Sequence, residues 1–296
     1  MPPPLTEGIF RKWLALVQST FSTRDAWEEI GIASAEGKAA LRTILWRFEQ
    51  KGEVVSLGRG IFRKVNITLD KVDWQKANPD KVVPLVFPFG EHEYCRIYPK
   101  SIIIVAGSKN VGKTAYLYNF IKLNMNKFPI DLYNSETSPE QMNERFRPLL
   151  IPEPAPFDVY ERYDNFADVI KPEKVSVIDY LDVGSETYLV GAEIDAIFRK
   201  LKGVAVIGLQ KPAPATIYTK TGQKKVIERD LAYGAAFSAK RAVLYITMSV
   251  NKLKLLYVKT PKQKNVNPDN MTFTFKLAGD GITFTNIQRS YEADPF

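Results

Sequence analysis

The sequence predicts an α/β fold with a mostly parallel central sheet, preceded by a smaller domain at the amino terminus. Apolar runs at 101–106, 175–178 and 204–209 are typical of strands that helices cover on both faces. The glycine-rich octet GSKNVGKT at 107–114 follows the first run and precedes an amphipathic helical segment, the setting of a phosphate-binding loop. At 296 residues the chain is long enough for this core and a small companion.

Residues 1–68 are predicted to form the companion domain, with three helices followed by a β-hairpin. Ser22 and Thr23 suit the start of the second helix, and the third helix carries apolar side chains at helical spacing. A turn at 58–60 then joins two short strands. This order resembles a winged helix-turn-helix, which implies that basic side chains on the third helix and the hairpin contact duplex DNA. Those side chains are Lys38, Arg42, Arg47, Arg59 and Arg63.

The charge of this domain leaves a second interpretation open. Ten Lys or Arg side chains stand against eight acidic ones over residues 1–70. DNA binding draws most of its affinity from phosphate contacts, so this small excess also fits a domain that docks another protein.

Residues 69–98 carry prolines and mixed charges without a sustained period, and are predicted to be a linker that partly packs on the following domain. Residues 99–296 are predicted to be the core. No run reaches the roughly 18 apolar residues that a membrane span needs. The first residues lack the charged and then apolar pattern of a secretory signal. We therefore expect a cytoplasmic protein with no membrane partner.

The octet predicts ATP and Mg²⁺ as ligands. Gly107 and Gly112 allow backbone N–H groups to approach the β-phosphate, and Lys113 places a positive charge on the β- and γ-phosphate oxygens. Thr114 offers its hydroxyl to the metal at a helix amino terminus, which favours anions. The predicted contact residues are Gly107, Ser108, Lys109, Asn110, Val111, Gly112, Lys113, Thr114 and Ala115.

Three further polar side chains follow predicted strands. Asp179 ends a strand that we expect beside the P-loop strand, where its carboxylate can hold the metal through water. Glu136 follows a predicted strand and precedes a helix whose dipole would stabilise an acid there. Gln210 is a polar residue at the end of the third predicted strand.

Four stretches, taken in order, resemble the RecA-type ATPases, and among them the ring-forming replicative helicases of the DnaB kind and their KaiC and RadA relatives. They are YNSETSPEQMNERF, VSVIDYLDV, EIDAIFRKLKGVAVIGLQK and ERDLAYGAAFSAKRAVLYI. The resemblance spans about residues 99–285 and implies a RecA-like core. It implies that Glu136 orients the attacking water, that Asp179 serves the Mg²⁺, and that Gln210 senses the γ-phosphate and reports to DNA-binding loops. That family's helical amino-terminal domain has no counterpart in this sequence.

The net charge of +8 is concentrated in residues 211–264, where twelve Lys or Arg face two acidic side chains. Such an excess suits nucleic acid, although a solvated basic face is the alternative. Residues 211–229 show neither helical nor strand periodicity. The resemblance implies that this loop follows single-stranded DNA, with aromatic and basic side chains suited to that task. The side chains are Tyr218, Lys220, Lys224 and Lys225.

The related helicases carry a Lys-x-Arg pair that reaches the ATP of a neighbouring subunit. Here Lys259 is present, but Pro261 takes the position of the arginine and Lys262 follows it. Lysine supplies charge without the bidentate fork of arginine. Lys259 and Lys262 are therefore the candidates for a trans-acting cation in a homo-oligomer, for which the resemblance implies a hexameric ring.

The sequence predicts a Mg²⁺-dependent ATPase that acts on DNA, with helicase activity in replication or recombination as the leading hypothesis. The alternative is an ATP-switched DNA-binding regulator or loader, whose winged helix selects the site without unwinding. A signalling ATPase without nucleic acid would leave the basic stretch unexplained.

Overall fold

The computed structural model describes residues 5–17, 19–67, 69, 71–181, 189–218 and 224–290; within 215–218 and 224–227 it describes the backbone alone. The chain divides into two compact units, Met1–Ala77 and Asn78–Phe296. The division falls after Ala77, whereas the sequence analysis ended the first domain at residue 68.

The amino-terminal unit contains three helices and a small antiparallel sheet. The elements are α1 (Glu7–Leu16), β1 (Thr20–Ser22), α2 (Thr23–Ile30), α3 (Ala35–Gln50), β2 (Val54–Gly58) and β3 (Ile61–Lys64). The three strands pair in the order β1-β3-β2. The three predicted helices and the hairpin are confirmed. Residues 20–22 form a strand that pairs with 61–63, a contact that no local pattern reveals.

Local chemistry explains the bounds of these helices. The Ser22 hydroxyl accepts a hydrogen bond from the Asp25 N–H and the Asp25 carboxylate accepts one from the Ser22 N–H, a capping box that starts α2. Gly31 ends α2 in the left-handed region at φ 79°. The apolar face of α3 is buried against α1, around Leu41 and Phe48. This unit therefore has a hydrophobic core of its own.

The second unit is an α/β domain built on a nine-stranded sheet. Its strands are β4 (Ser101–Gly107), β5 (Ile130–Asn134), β6 (Asp158–Glu161), β7 (Val175–Asp179), β8 (Val204–Gln210), β11 (Ala242–Ser249), β12 (Lys252–Val258), β13 (Thr272–Leu277) and β14 (Phe284–Ser290). They pair in the order β14-β13-β12-β11-β4-β8-β7-β5-β6. The strands from β11 to β6 are parallel, and β12 to β14 extend the sheet in antiparallel pairs. The predicted fold class, a mostly parallel sheet consistent with a RecA-like core, is confirmed.

Helices cover both faces of this sheet. They are α4 (Lys113–Asn124), α5 (Pro139–Phe146), α6 (Phe166–Val169) and α7 (Val190–Lys200). One buried cluster joins α4 to the sheet, and a second joins α6 and α7 to the opposite face. Burial on both faces explains why the central strands are apolar runs instead of alternating patterns.

Residues 85–97 of the predicted linker pack into the core beneath α4, with Leu85, Phe87 and Phe89 buried, so the expected partial packing of the linker on the following domain is confirmed. Two features differ from the sequence-based expectations. Strand β8 lies between β4 and β7, so the expectation that the Asp179 strand lies beside the P-loop strand is wrong. Strand order depends on long-range packing, which a reading of local periods cannot supply.

The other difference concerns the segment predicted to be a loop without periodicity. Its described backbone forms an antiparallel ribbon of β9 (Ala215–Tyr218) and β10 (Lys224–Ile227). Strands of four residues, the first preceded by prolines at 212 and 214, are too short to give a sustained period of two in the sequence. Among the described residues, no helix has the length and apolar character needed to cross a membrane.

Candidate nucleotide-binding site

The glycine-rich loop lies between the carboxyl end of β4 and the amino terminus of α4. A Cβ atom on Gly107 would lie 2.7 Å from Val111 Cγ2 and 2.8 Å from Lys113 Cγ, so only glycine fits there. Gly112 is the N-cap of α4 at φ 93°, a left-handed conformation that glycine adopts readily. Because Gly112 has no side chain to accept from the first N–H groups of α4, these groups are available to an anionic ligand.

The Lys113 side chain is 7% exposed at this helix start. Burial lowers its pKa, and the nearby carboxylates of Asp179 and Glu136 oppose that shift. The Nζ atom lies 5.3 Å from the centroid of the Tyr180 ring. A desolvated ammonium favours an anionic partner, and a phosphate group would satisfy it.

Thr114 and Asp179 provide oxygen atoms next to this ammonium. The Thr114 hydroxyl is 3.4 Å from Asp179 Oδ1. Strand β8 lies between β4 and β7, but α4 begins above the edge of the sheet, and this brings Thr114 close to the end of β7. Asp179 is fully buried, and its Oδ2 atom has no hydrogen-bond partner among the described residues. Burial raises the pKa of this carboxyl to about 6. Hydroxyl and carboxylate oxygens are ligands that Mg²⁺ accepts, so the unpaired Oδ2 fits a divalent cation.

A turn after β5 presents Glu136 at the same sheet edge. Asn134 Oδ1 accepts hydrogen bonds from the N–H groups of Thr137 at 3.0 Å and Glu136 at 3.4 Å, and Asn134 Nδ2 donates to the Thr137 carbonyl at 2.6 Å. The Ser135 N–H donates to the Asp179 carbonyl at 2.9 Å, which joins this turn to the end of β7. The turn and strand end therefore hold Glu136 near Asp179.

One cavity of about 410 Å³ collects most of the predicted site residues. The predicted residues that line it are Lys109, Asn110, Gly112, Lys113, Thr114, Ala115, Glu136 and Gln210. Its volume lies within the usual range for a bound small molecule. Gln210 reaches the cavity because β8 pairs with β4 as far as Gly107. Asp179 lies behind Thr114.

The sequence analysis gave no role to several residues that line this cavity. They are Glu144, Arg145, Leu277, Gly279, Asp280, Gly281 and Ile282. Arg145 stands in the last turn of α5, nine residues after Glu136. The residues at 277–282 belong to the β13–β14 turn, and only the three-dimensional fold brings them to the P-loop.

A second cavity, of about 1030 Å³, lies between α5 and β6 and shares Glu136 with the first. Its lining is more apolar, with Met142, Phe146 and Phe157 among its residues. The P-loop lines only the smaller cavity, which is therefore the candidate for the nucleotide.

The basic stretch at 211–264 is partly neutralised within the core unit. Lys240 and Arg241 each lie 2.6 Å from the Asp195 carboxylate, and Lys254 lies 2.7 Å from Asp230. Lys220 lies outside the described residues; Lys224 and Lys225 are on β10, and their side chains are outside the description too. Lys240, Arg241 and Lys254 are therefore paired within their own chain and are less available to a nucleic acid than unpaired cations would be.

The candidate DNA contacts of the amino-terminal unit fall into two groups. Arg42 on α3 and Arg59 in the β2–β3 turn are exposed. Lys38 Nζ lies over the Trp27 ring, 4.5 Å from its centroid, and Arg47 lies 3.2 Å from the Glu7 carboxylate. Arg42 and Arg59 are therefore better placed to contact a partner than Lys38 and Arg47.

The candidates for a trans-acting cation lie away from the P-loop of their own chain. Val258, at the end of β12, pairs with Leu244, which in turn pairs with Ile103 near the amino end of β4. Lys259 thus follows at the edge of the sheet opposite the cavity. The Lys262 N–H donates to the Tyr94 carbonyl at 2.9 Å, and its Nζ lies 3.5 Å from Glu93, which holds this side chain on its own chain.

The parallel sheet and the loop between β4 and α4 define a P-loop, RecA-like α/β fold. No protein-family model matches the chain. No curated protein matches it either. Among solved structures it is similar to a chain described as an ATPase domain, at 11% sequence identity and a TM-score of 0.45. That match covers 64% of this chain and 86% of the other.

Proposed function

We propose that the protein is a Mg²⁺-dependent ATPase that acts on DNA as a RecA-like motor, with helicase activity as its specific form. The single observation that carries the ATPase is the common cavity of Lys113, Thr114, Glu136 and Gln210, with the unpaired Asp179 Oδ2 beside it. Each of these groups stands at the carboxyl edge of the sheet, where parallel α/β folds bind their ligands.

Each residue of the site has a separate role in phosphoryl transfer. The N–H groups at the start of α4 bind the phosphates, and Lys113 stabilises the negative charge that they carry. Thr114 and Asp179 would hold Mg²⁺, and the bound ion would supply positive charge against the phosphates. Glu136 accepts a hydrogen bond from the attacking water and aligns it with the γ-phosphorus atom. Gln210 reaches the γ-phosphate side of the cavity from β8.

Two observations support DNA as the partner of the core. The β9–β10 ribbon begins five residues after Gln210, so it emerges beside the cavity. It carries Lys224 and Lys225 in one strand, and a basic ribbon suits a nucleic-acid backbone.

The amino-terminal unit supports a second contact with DNA. Its order of helix, strand, two helices and two strands is that of a winged helix-turn-helix, in which α3 enters the major groove and the β2–β3 hairpin touches the backbone. Exposed Arg42 and Arg59 lie on these two elements. Trp46, also exposed on α3, equally fits a surface that docks a protein.

A homo-oligomer follows from the same proposal. Because Lys259 lies at the sheet edge opposite the cavity, it can reach an ATP site only in a neighbouring copy. A ring of copies, hexameric in the related helicases, would bring the two edges together.

One observation favours the alternative, an ATP-switched DNA-binding regulator or loader. Pro261 occupies the position of the expected arginine and forms a β-bridge with Cys95, and Lys262 is tied to Glu93. A site that lacks a strong trans-acting cation hydrolyses ATP slowly, which suits a switch better than a motor.

ATP turnover with and without single-stranded DNA, together with strand displacement on a forked duplex, separates the two functions. A motor shows turnover that DNA stimulates at least about tenfold and displacement that is lost in Lys113→Ala. Slow turnover that DNA leaves unchanged, with binding specific for duplex, supports the switch. Displacement that survives in Lys113→Ala would contradict the motor.

A further inference from the structure

Lys211 is a buried lysine that the proposed hydrolysis does not use. The residue is 2% exposed, and its Nζ donates to the Thr247 hydroxyl at 2.9 Å and to the Ser249 hydroxyl at 3.3 Å. Both hydrogen-bond partners are neutral hydroxyls; burial lowers the pKa of this lysine, and the carboxylates of Asp230 and Glu228 oppose that shift. Burial of an ammonium costs free energy, so a buried lysine beside the P-loop is a candidate for a role of its own.

The backbone of Lys211 is bonded directly to the P-loop. Its N–H donates to the carbonyl of Gly107 at 2.9 Å, at the point where β4 gives way to the loop. Gln210, the residue before it, pairs with Gly107 and lines the nucleotide cavity. A shift of the P-loop or of Gln210 is therefore transmitted to Lys211 without any intervening residue.

The side chain of Lys211 reaches the far side of β4. Thr247 and Ser249 belong to β11, which pairs with β4 on the side opposite β8. Lys211 thus spans three neighbouring strands at the carboxyl edge of the sheet, from β8 across β4 to β11.

The Ser249 hydroxyl also contacts the carboxyl end of the β9–β10 ribbon. Ser249 Oγ donates to Glu228 Oε2 at 2.5 Å, and Glu228 is the residue that follows β10. Two residues on, Asp230 is paired with Lys254 of β12 at 2.7 Å. The ribbon therefore leaves the sheet at Lys211 and returns to it at Glu228, and Ser249 bonds to both.

We propose that Lys211 is a positioning residue that couples the nucleotide cavity to the β9–β10 ribbon through Ser249 and Glu228. The proposal rests on nucleotide binding at the P-loop. When the P-loop closes on phosphates, Gly107 and Gln210 become fixed, Lys211 is fixed with them, and the ribbon is held at both ends. When the site is empty, this link loosens and the ribbon opens more readily.

Hydrogen exchange of the amides in 215–227 tests this coupling without DNA or hydrolysis. In the wild-type chain, a non-hydrolysable ATP analogue with Mg²⁺ should slow exchange in the ribbon at least about threefold. In Lys211→Met, the analogue should change that exchange by less than about 1.5-fold, while its dissociation constant stays within about twofold of wild type. Lys202→Met, a change at an exposed lysine paired with Glu173, is the matched control and should behave as wild type.

Ser249→Ala and Glu228→Ala test the same link with changes at less buried positions. Each should abolish the response of the ribbon to the analogue, even if Lys211→Met fails to fold. A ribbon that responds to the analogue equally in Ser249→Ala and wild type would overturn the coupling. The coupling would also be overturned if the wild-type ribbon did not respond to the analogue although the analogue binds. That result would leave the ATPase proposal standing. Failure of the wild-type chain to bind the analogue overturns both.

Discussion

Glu91 shows how strongly single side chains depend on their surroundings in this core. It is fully buried beneath α4, and it accepts hydrogen bonds from the Tyr116 hydroxyl at 2.7 Å and the Phe89 N–H at 2.9 Å. Burial raises the pKa of this carboxyl from 4.5 to about 7, and the hydrogen bonds oppose the shift. Between about pH 4.5 and pH 7 the folded protein therefore retains a proton that the unfolded chain has lost.

This proton makes stability depend on pH. The folded state binds more protons than the unfolded state between the two pKa values, so Glu91 lowers stability as pH rises from about 4.5 to 7. In Glu91→Gln, the amide oxygen can accept from the Phe89 N–H while the amide nitrogen donates to the Tyr116 hydroxyl oxygen, and the side chain carries no charge. When the pH rises from 5 to 8, we expect the free energy of unfolding of the wild-type core to fall by about 2 kcal/mol relative to that of this variant.

Urea unfolding of the core at both pH values measures this difference. Glu173→Gln, at an exposed acid paired with Lys202, is the control and should follow wild type. If the wild-type and Glu91→Gln chains lose the same stability over this pH range, Glu91 does not carry the buried proton.

At the scale of elements, the P-loop is the segment whose geometry limits substitution most clearly. In Gly107→Ala, the new methyl group meets Val111 and Lys113 at under 3 Å, so the loop must open or Lys113 must move. We expect nucleotide affinity to fall at least about tenfold. Gly8→Ala is the control, since its Cβ meets only Thr6 Oγ1 at 3.8 Å. A Gly107→Ala chain that binds nucleotide as tightly as wild type would contradict this geometry.

Helix α3 and the β2–β3 hairpin carry the prediction for the amino-terminal unit. If they contact duplex DNA, Arg42→Ala with Arg59→Ala should weaken duplex binding about tenfold and reduce its dependence on salt, because two phosphate contacts are lost. Turnover of ATP without DNA should be unchanged. Binding is measured by fluorescence anisotropy at two salt concentrations, with Arg24→Ala, an exposed arginine paired with Glu28, as control. Unchanged duplex binding by the double variant would favour protein docking by this unit.

The sequence predicts the elements around the site better than their arrangement. Strands β4, β5, β7 and β8 are apolar runs that end in the P-loop, Asn134, Asp179 and Gln210, and local patterns are enough to find them. The position of β8 between β4 and β7 depends on contacts between residues far apart in the sequence, and no local sequence pattern predicts it. The β9–β10 ribbon also leaves little local signal, because its strands are four residues long and pair with each other.

The same distinction applies to side chains of the site. Lys113 and Thr114 belong to a motif of fixed spacing, and the sequence names them. The β13–β14 turn and the contacts of Lys211 with Thr247 and Ser249 arise where separate strands meet at one edge. Only the folded sheet brings them together.

At the scale of the whole molecule, the position of Lys259 opposite the cavity predicts self-association. We expect the mass in solution to increase from that of a 33.6 kDa chain when a non-hydrolysable ATP analogue and Mg²⁺ are added. Light scattering coupled to size exclusion measures it, and Lys113→Ala, which binds the phosphates poorly, is the control. A chain that stays monomeric with saturating analogue contradicts a ring and favours the switch.

The central claim, that the P-loop cavity of the full chain hydrolyses ATP, is tested most directly by turnover in Glu136→Gln. The amide still fits the turn that Asn134 builds, but it cannot act as a base or orient the water as a carboxylate does. We expect kcat to fall at least about 100-fold while nucleotide affinity stays within about threefold, and Glu140→Gln, on the exposed side of α5, to keep wild-type turnover. Wild-type turnover in Glu136→Gln would contradict the account.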